Sequence, residues 1–420
     1  MSTKTGWASD VRMRHATLLT PQSVARKTTF LEWRTQPSLF KRYPDFCYRI
    51  AIEGNLPLFW LGRVRCITDR HTVSGKPYYR LNVPSAGNLH PLEMYLQIRN
   101  VSGFLDGIYH WDAASASIVL IREIERDGIE PYIGIDRRFN GCVVMFSVVP
   151  FRSAWKYALR AWRYVYLDLG HQIAALQYVV NYFGLPTTKL SDMDILGLNR
   201  IMGMGEGEFI ASVFAVGVPS SRPAVALESA LMTVAPCDYL YRDSKLTEAV
   251  AHEGAYTDYP LVIRPIWDEN VNLTRRSARD FSPQTMKAEA IREILQLSYS
   301  ESLDVLHIVV HPMHTGIYRN GMKIQNGNFS ADAVHLLLEQ RFISNASVVS
   351  LIFSVRFDSH SHIEAGIYAH GLYLLAEHNG IGCSGIGAFY DEEALRWSNM
   401  PLLYAVAIGG KYDNRSSKRD

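Results

Sequence analysis

Residues Tyr79–Arg99 read YRLNVPSAGNLHPLEMYLQIR, a turn-forming run that passes directly into an apolar strand. Pro84 and Gly87 fix a tight turn, and Ser85 and Asn88 carry short side chains whose donors and acceptors stay close to the backbone. Leu92–Arg99 reads as a strand. Outward from it, Gly141–Pro150 is a second apolar strand, Trp155–Phe183 a long helical pattern and Phe209–Pro219 a third strand. The second half repeats the series as Leu303–His311, Ser347–Phe357, a helical pattern over His362–Asn379, and Pro401–Gly409. Gly366 lies 196 positions after Gly170, Ser354 lies 207 after Ser147, and Gly409 lies 192 after Gly217. Leu176 and Gly184 align in the same way with Leu372 and Gly380. Four elements in one order predict a duplicated α+β fold, with two antiparallel-rich sheets and their helices packed as an intramolecular pseudo-dimer.

The expected divisions are a preamble over 1–45, a first domain over 46–219, a linker or wrapping extension over 220–270, and a second domain over 271–420. The chain has 420 residues, ample for such a core. Its 43 Lys and Arg against 41 Asp and Glu exclude the concentrated basic excess of a dedicated nucleic-acid binder. No apolar run approaches the ~18 residues that span a bilayer, and the N-terminus lacks the pattern of a secretory signal. Five scattered cysteines (Cys47, Cys66, Cys142, Cys237, Cys383) without a CxxC pair fit a reducing cytoplasm better than disulfides or zinc. The expected setting is the cytoplasm, with neither membrane nor nucleic acid as partner.

Four strings bear on chemistry, each with a plainer alternative. The PSAGN turn suits a planar polar ring edge or a phosphate, or is an ordinary turn capped by Ser and Asn. Thr274–Asp280 places Arg275, Arg276, Ser277 and Arg279 just ahead of Ser282-Pro283, which reads as a helix start. Guanidinium forks there suit a phosphate, and a solvated basic loop is the alternative. Gly380–Gly385 matches GxGxxG, but it follows a helix, whereas a dinucleotide fingerprint follows a strand and opens a helix. Side-chain-poor backbone still lets amides approach a ligand. Trp155-Lys156-Tyr157 offers a base and a hydrogen-bond donor side by side, or one solvated charge and one packed ring. His171 reads as a core histidine, Gly203–Gly207 as a loop, and no metal-spaced set of ligands is present.

Together, RxxxPSAGNxHPLExYL (Arg80–Leu96), WKY (Trp155–Tyr157), RRSARDF (Arg275–Phe281) and GIGCSGIGAF with AVAIGGK (Gly380–Phe389, Ala405–Lys411) resemble the SagB-type dehydrogenases. These are a branch of the FMN-dependent nitroreductase superfamily associated with thiazole- and oxazole-modified peptides. The resemblance covers about residues 45–220 and 271–420. It implies an α+β fold that holds FMN where two fold units meet. Family members carry RRSxR and PSAGN in one domain; here the first half has only PSAGN and the second only RRSAR. One flavin site per chain is therefore expected, assembled from both halves, with the mirror site empty.

The resemblance assigns Arg275, Arg276, Ser277 and Arg279 to phosphate, ribityl chain and pyrimidine edge, and Pro84, Ser85, Ala86 and Asn88 to the same cofactor. Backbone at Ile386, Gly387 and Ala388 would face the flavin, and Lys411 and Arg415 would neutralise phosphate charge. Lys156 and Tyr157 would be the catalytic pair in oxidising a thiazoline or oxazoline ring of a peptide, with no metal. Other implied partners are a cyclodehydratase or another tailoring enzyme, and a second copy of the chain. Competing readings are an FMN oxidoreductase on another peptide, carrier-bound or small-molecule substrate, and a non-catalytic scaffold of a heterocycle-forming complex.

Overall fold

The computed structural model describes residues 12–26, 31–73, 76–205, 207–237, 268–284 and 286–412. These fall into two compact units: one holds the described residues 31–237, and the other holds 12–26 together with 268–412. The residues read as a preamble are thus shared out. Residues 12–26 belong with the second unit, while Lys41 is buried in the first and ion-pairs with Glu208 at 2.6 Å. Residues 220–226, read as linker, form part of the first unit, and 238–267 lie outside the described residues.

In the first unit the strands are β1 (Arg49–Ala51), a separate hairpin β2–β3 (Ile67–Val73, Lys76–Leu81), β4 (Leu92–Arg99), β5 (Gly107–Asp112), β6 (Ser117–Glu123), β7 (Asp127–Gly128), β8 (Arg137–Val148), β9 (Thr187–Thr188), β10 (Phe209–Pro223) and β11 (Val225–Ala226). The main sheet runs β1-β6-β5-β4-β8-β10-β9 with every pairing antiparallel. All eight residues of β4 are buried because both faces of the sheet are covered, so even the Glu93, Gln97 and Arg99 that alternate with its apolar residues lie inside, paired with Arg152, the Ile129 N–H and Glu130. One face packs a cluster including Tyr95, Met145, Val213, Leu198 and Ile201, the last two from helix α3 (Ile195–Ile201). The other receives the long helix.

That helix is two helices. α1 (Pro150–Tyr157) ends where Ala158 adopts φ +48°, a short 3-10 turn follows, and α2 (Ala161–Tyr182) then runs 22 residues. The continuous Trp155–Phe183 helix expected from the apolar pattern is therefore broken one residue after Tyr157, and Lys156 and Tyr157 sit at the C-terminal end of α1. Twenty residues of α2 are buried, as its lack of a polar face requires.

The second unit repeats the sheet core as β12 (Leu303–Val309), β13 (Gly316–Arg319), β14 (Met322–Gln325), β15 (Val348–Ser354), β16 (Gly382–Ile386) and β17 (Leu402–Gly409), in the order β14-β13-β12-β15-β17-β16. This is the order of the first sheet without β1. Helices α4 (Asn270–Thr274) and α5 (Ala288–Gln296) precede the sheet. α6 (Ser330–Leu336) packs with Phe281, Phe353 and Phe389 on one face, and the buried α7 (Ser359–His378) covers the other. The helix expected to start at Ser282-Pro283 begins instead at Ala288, with Lys287 as its cap residue. Ser282 is taken up in an isolated bridge, donating its N–H to the Gly410 carbonyl at 2.9 Å. No described helix is long and apolar enough to cross a membrane.

Candidate functional site

The Pro84–Asn88 turn opens with Pro84 buried and Ser85 extended, then closes through left-handed residues: Gly87 at φ +63°, Asn88 at +59° and, beyond Leu89, His90 at +46°. Exposed Gly87 lies against the end of α1. A Cβ placed there would stand 2.5 Å from the Tyr157 hydroxyl oxygen and 3.2 Å from Lys156 Nζ. Only glycine meets both the backbone angle and that approach. Two strings that the sequence treats separately, PSAGN and WKY, are therefore brought together within the first unit. Trp33 and Trp155 meet edge to face at 5.6 Å, and Lys156 Nζ lies 5.7 Å from the Trp33 ring centre and 5.4 Å from that of Tyr157.

The polar side chains of the turn brace it from within. Ser85 Oγ donates to Asp168 Oδ2 at 2.5 Å and accepts from the His90 N–H at 2.9 Å, while the Ala86 N–H donates to Asp168 Oδ1 at 3.1 Å. Asn88 donates to the Tyr79 carbonyl at 2.8 Å and meets His90 Nε2 at 3.0 Å. Buried Arg152, on α1, donates to the His90 carbonyl at 3.1 Å, Glu93 Oε1 at 2.6 Å and the Pro236 carbonyl at 2.7 Å. One guanidinium thus ties the helix of the Lys–Tyr pair to the end of the turn and to β4. Burial would raise the Glu93 carboxyl, but Arg152, His110 and Arg65 hold it well below the usual carboxylate range. Asp168 goes the other way. Burial pushes it up to about 7, against the opposing pull of Ser85, the Ala86 N–H and Arg65.

In the second unit, α4 ends at Arg275, and the arginine run then lies along β16. Ser277 forms a parallel bridge with Cys383, and the Ala278 N–H donates to the Cys383 carbonyl at 2.8 Å. Arg275 is buried, with its guanidinium 5.0 Å above the Tyr373 ring, and burial together with Arg276 lowers its pKa. Arg276 folds back onto the carbonyls of Leu273 (3.1 Å) and Arg275 (2.8 Å) at the helix end, and Arg279 is exposed. Lys411 is ion-paired with Glu377 at 2.7 Å. Burial raises the Cys383 thiol, which both Arg275 and Lys411 draw back. The glycine-rich string is itself strand β16. Gly385 leaves room for the Tyr404 hydroxyl, Ile386 joins the core, and the half-buried Gly387 and Ala388 follow, the Ala388 carbonyl accepting from Gln340 at 3.4 Å. Arg415 lies outside the described residues.

Sequence reasoning passed over Asp168, Arg152 and Tyr373. Each left a faint signal: a charge between Leu167 and Leu169, a charge behind the strand-ending Pro150, and a phenol in an apolar helix. Among the described residues no cluster of three or more His, Cys, Asp or Glu is placed to hold a metal.

Residues 273–410 match the nitroreductase family model. A curated candidate nitroreductase from Methanocaldococcus jannaschii is 28% identical over 111 residues, which are 26% of this chain and 56% of that protein. The chain therefore matches little more than half the length of that relative. A crystal structure of a candidate nitroreductase from Anabaena variabilis superposes with a TM-score of 0.78 at 18% identity, covering 96% of this chain and 99% of its own. The Vibrio harveyi NADPH:FMN oxidoreductase covers 36% of this chain and 71% of its own, with a TM-score of 0.27 at 16% identity. The fold is nitroreductase-like across both units.

Proposed function

We propose that this chain is an FMN-dependent oxidoreductase that dehydrogenates thiazoline or oxazoline rings in a modified peptide, during natural-product biosynthesis. The observation that carries the reading is the approach of the Gly87 backbone to Lys156 and Tyr157. It puts a proton acceptor and a hydroxyl donor beside a glycine that leaves the surface open. The donor set of the second unit fits the cofactor by its chemistry: Arg275, Arg276 and Ser277 are suited to a phosphate-bearing heterocycle, and they run along a glycine-rich strand. When bound, FMN supplies a two-electron acceptor.

Lys156, as the free amine, would take the proton from one ring carbon, the hydrogen of the neighbouring ring carbon would leave with its electron pair for the bound two-electron acceptor, and Tyr157 would orient the ring. Asp168 and Arg152 hold the turn and the end of α1 in register while this happens. That Lys156 and Tyr157 serve the same flavin as Arg275–Arg279, in one site per chain, rests on the sequence resemblance. The azoline substrate and the choice of dehydrogenase over other redox chemistry rest on it too, since fold alone does not fix chemistry.

The test is purification with bound flavin, followed by incubation with a heterocyclised peptide. A mass loss of two hydrogens per ring supports the reading, and a colourless protein that binds no FMN refutes it. Lys156→Ala is expected to keep the flavin and lower turnover by about 10²–10⁴-fold; full activity would remove the lysine from the mechanism.

A further inference from the structure

The arginine run and strand β16 are held by one side chain that neither motif contains. Tyr373, buried on α7, places its hydroxyl oxygen 2.9 Å from Ser277 Oγ and accepts the Gly385 N–H at 2.7 Å. Its ring face carries the Arg275 guanidinium at 5.0 Å. Burial raises this phenol, so it stays protonated at neutral pH; with a lone pair taken by Gly385, its hydrogen remains for Ser277. The main chain makes a second tie between the same segments, through Ser277 and Cys383. At the offset that relates Gly170 to Gly366, the first unit has Gln177, which has neither ring face nor hydroxyl. The phenol thus occurs in the unit that carries RRSAR.

We propose that Tyr373 is a positioning residue of the flavin site, fixing Arg275 by its ring and Ser277 and Gly385 by its hydroxyl before the phosphate-bearing ligand arrives. This rests on the FMN reading above. Presetting side chains rich in rotamers removes an ordering cost that binding would otherwise meet. Within this proposal Arg275 and Ser277 are the groups that receive the phosphate, so the benefit of presetting them falls on it.

The experiment titrates flavin-stripped full-length protein with FMN and, separately, with riboflavin, following flavin fluorescence in wild type, Tyr373→Phe and Tyr373→Leu. Tyr373→Phe keeps the ring and loses the hydroxyl, so FMN affinity is expected to fall about tenfold. Tyr373→Leu loses both and is expected to fall about a hundredfold. Riboflavin affinity should move much less, so the preference for FMN shrinks. Equal losses for the two ligands would mean a merely structural role and overturn the inference, as would unchanged FMN affinity in both Tyr373 variants. If Tyr373→Leu does not fold, Tyr373→Phe, which keeps the ring and removes only the hydroxyl, decides: a selective loss for FMN sustains the proposal and none overturns it. Wild type that binds neither ligand overturns the FMN reading itself, a result distinct from all of these.

Discussion

Asp168 in the first unit and Glu364 in the second stand 196 positions apart, as Gly170 and Gly366 do, on matching turns of α2 and α7. Both carboxyls receive serine hydroxyls from the segment leading into the first core strand. Asp168 takes Ser85 ahead of β4, and Glu364 takes Ser300 at 2.8 Å and Ser302 ahead of β12. The surroundings then diverge. Asp168 is pushed up to about 7 by burial, while Glu364, although burial acts on it in the same direction, is drawn below the ordinary range by His360, Ser302 and Ser300. A carboxyl–serine brace present in both units belongs to the fold. What the first unit adds is the left-handed Gly87–Asn88 turn against Lys156 and Tyr157, for which LQLSYSES (295–302) has no counterpart. In the proposed function the reactive surface is this addition, and the brace is its support.

Gly87→Val attacks the addition directly and should have the largest effect. The left-handed angle costs a β-branched residue about 1–2 kcal/mol, and forcing the Tyr157 hydroxyl aside costs about 1–3 kcal/mol more. A loss of about 2–5 kcal/mol in chemical denaturation is expected, together with loss of turnover. A variant as stable as wild type would mean that the turn does not lie on the Lys–Tyr pair.

Asp168→Asn tests the brace where burial dominates. A carboxyl raised from 3.8 to about 7 binds more protons folded than unfolded, so its stabilising share is present at low pH and is lost as pH rises through that window. Wild type should lose up to about 2–4 kcal/mol between those limits, and Asp168→Asn should flatten the slope. Asp168→Ala, which leaves Ser85 and the Ala86 N–H without their acceptor, should be destabilised by about 1–3 kcal/mol. Parallel pH slopes for wild type and Asp168→Asn would rule out this assignment of the titrating group.

The strands were legible because β8, β15 and β17 carry long apolar runs and β4 and β12 alternate apolar with polar residues. Leu92–Arg99 has the limits read from sequence, and β12 and β17 differ from their readings by a residue or two. The break at Ala158 was not legible, since alanine favours helix and its φ of +48° is imposed by the surrounding structure. Ser282-Pro283 misled for a related reason: good local capping chemistry was overridden by a long-range bridge to Gly410. Gly87 was read as part of a tight turn, which its φ of +63° bears out, but its approach to Lys156 and Tyr157 is set by α1, some seventy positions away. Asp168 and Tyr373 act through partners distant in sequence, so a single chain read locally shows them only as polar groups in apolar helices.

Glu364→Gln probes the brace where hydrogen bonds dominate, and its sign is opposite to that of Asp168. A carboxyl lowered in the folded state binds fewer protons there, so its stabilisation is present above the ordinary 4.5 and is lost as pH falls through the folded value. The amide keeps one acceptor for Ser300 or Ser302 and brings a donor that a rotated hydroxyl can accept, so the net loss near pH 7 should be small, about 1–2 kcal/mol. His360 approaches the same carboxyl at 3.5 Å and adds to its hold in the folded state. The gap between wild type and Glu364→Gln should therefore be held through neutral pH and close as pH falls below the ordinary carboxylate range, whereas that between wild type and Asp168→Asn should change across the window above it. Denaturation midpoints of the three proteins at a series of pH values measure both curves. Two gaps that move in the same direction would erase the distinction between the units and leave burial alone to account for both carboxyls.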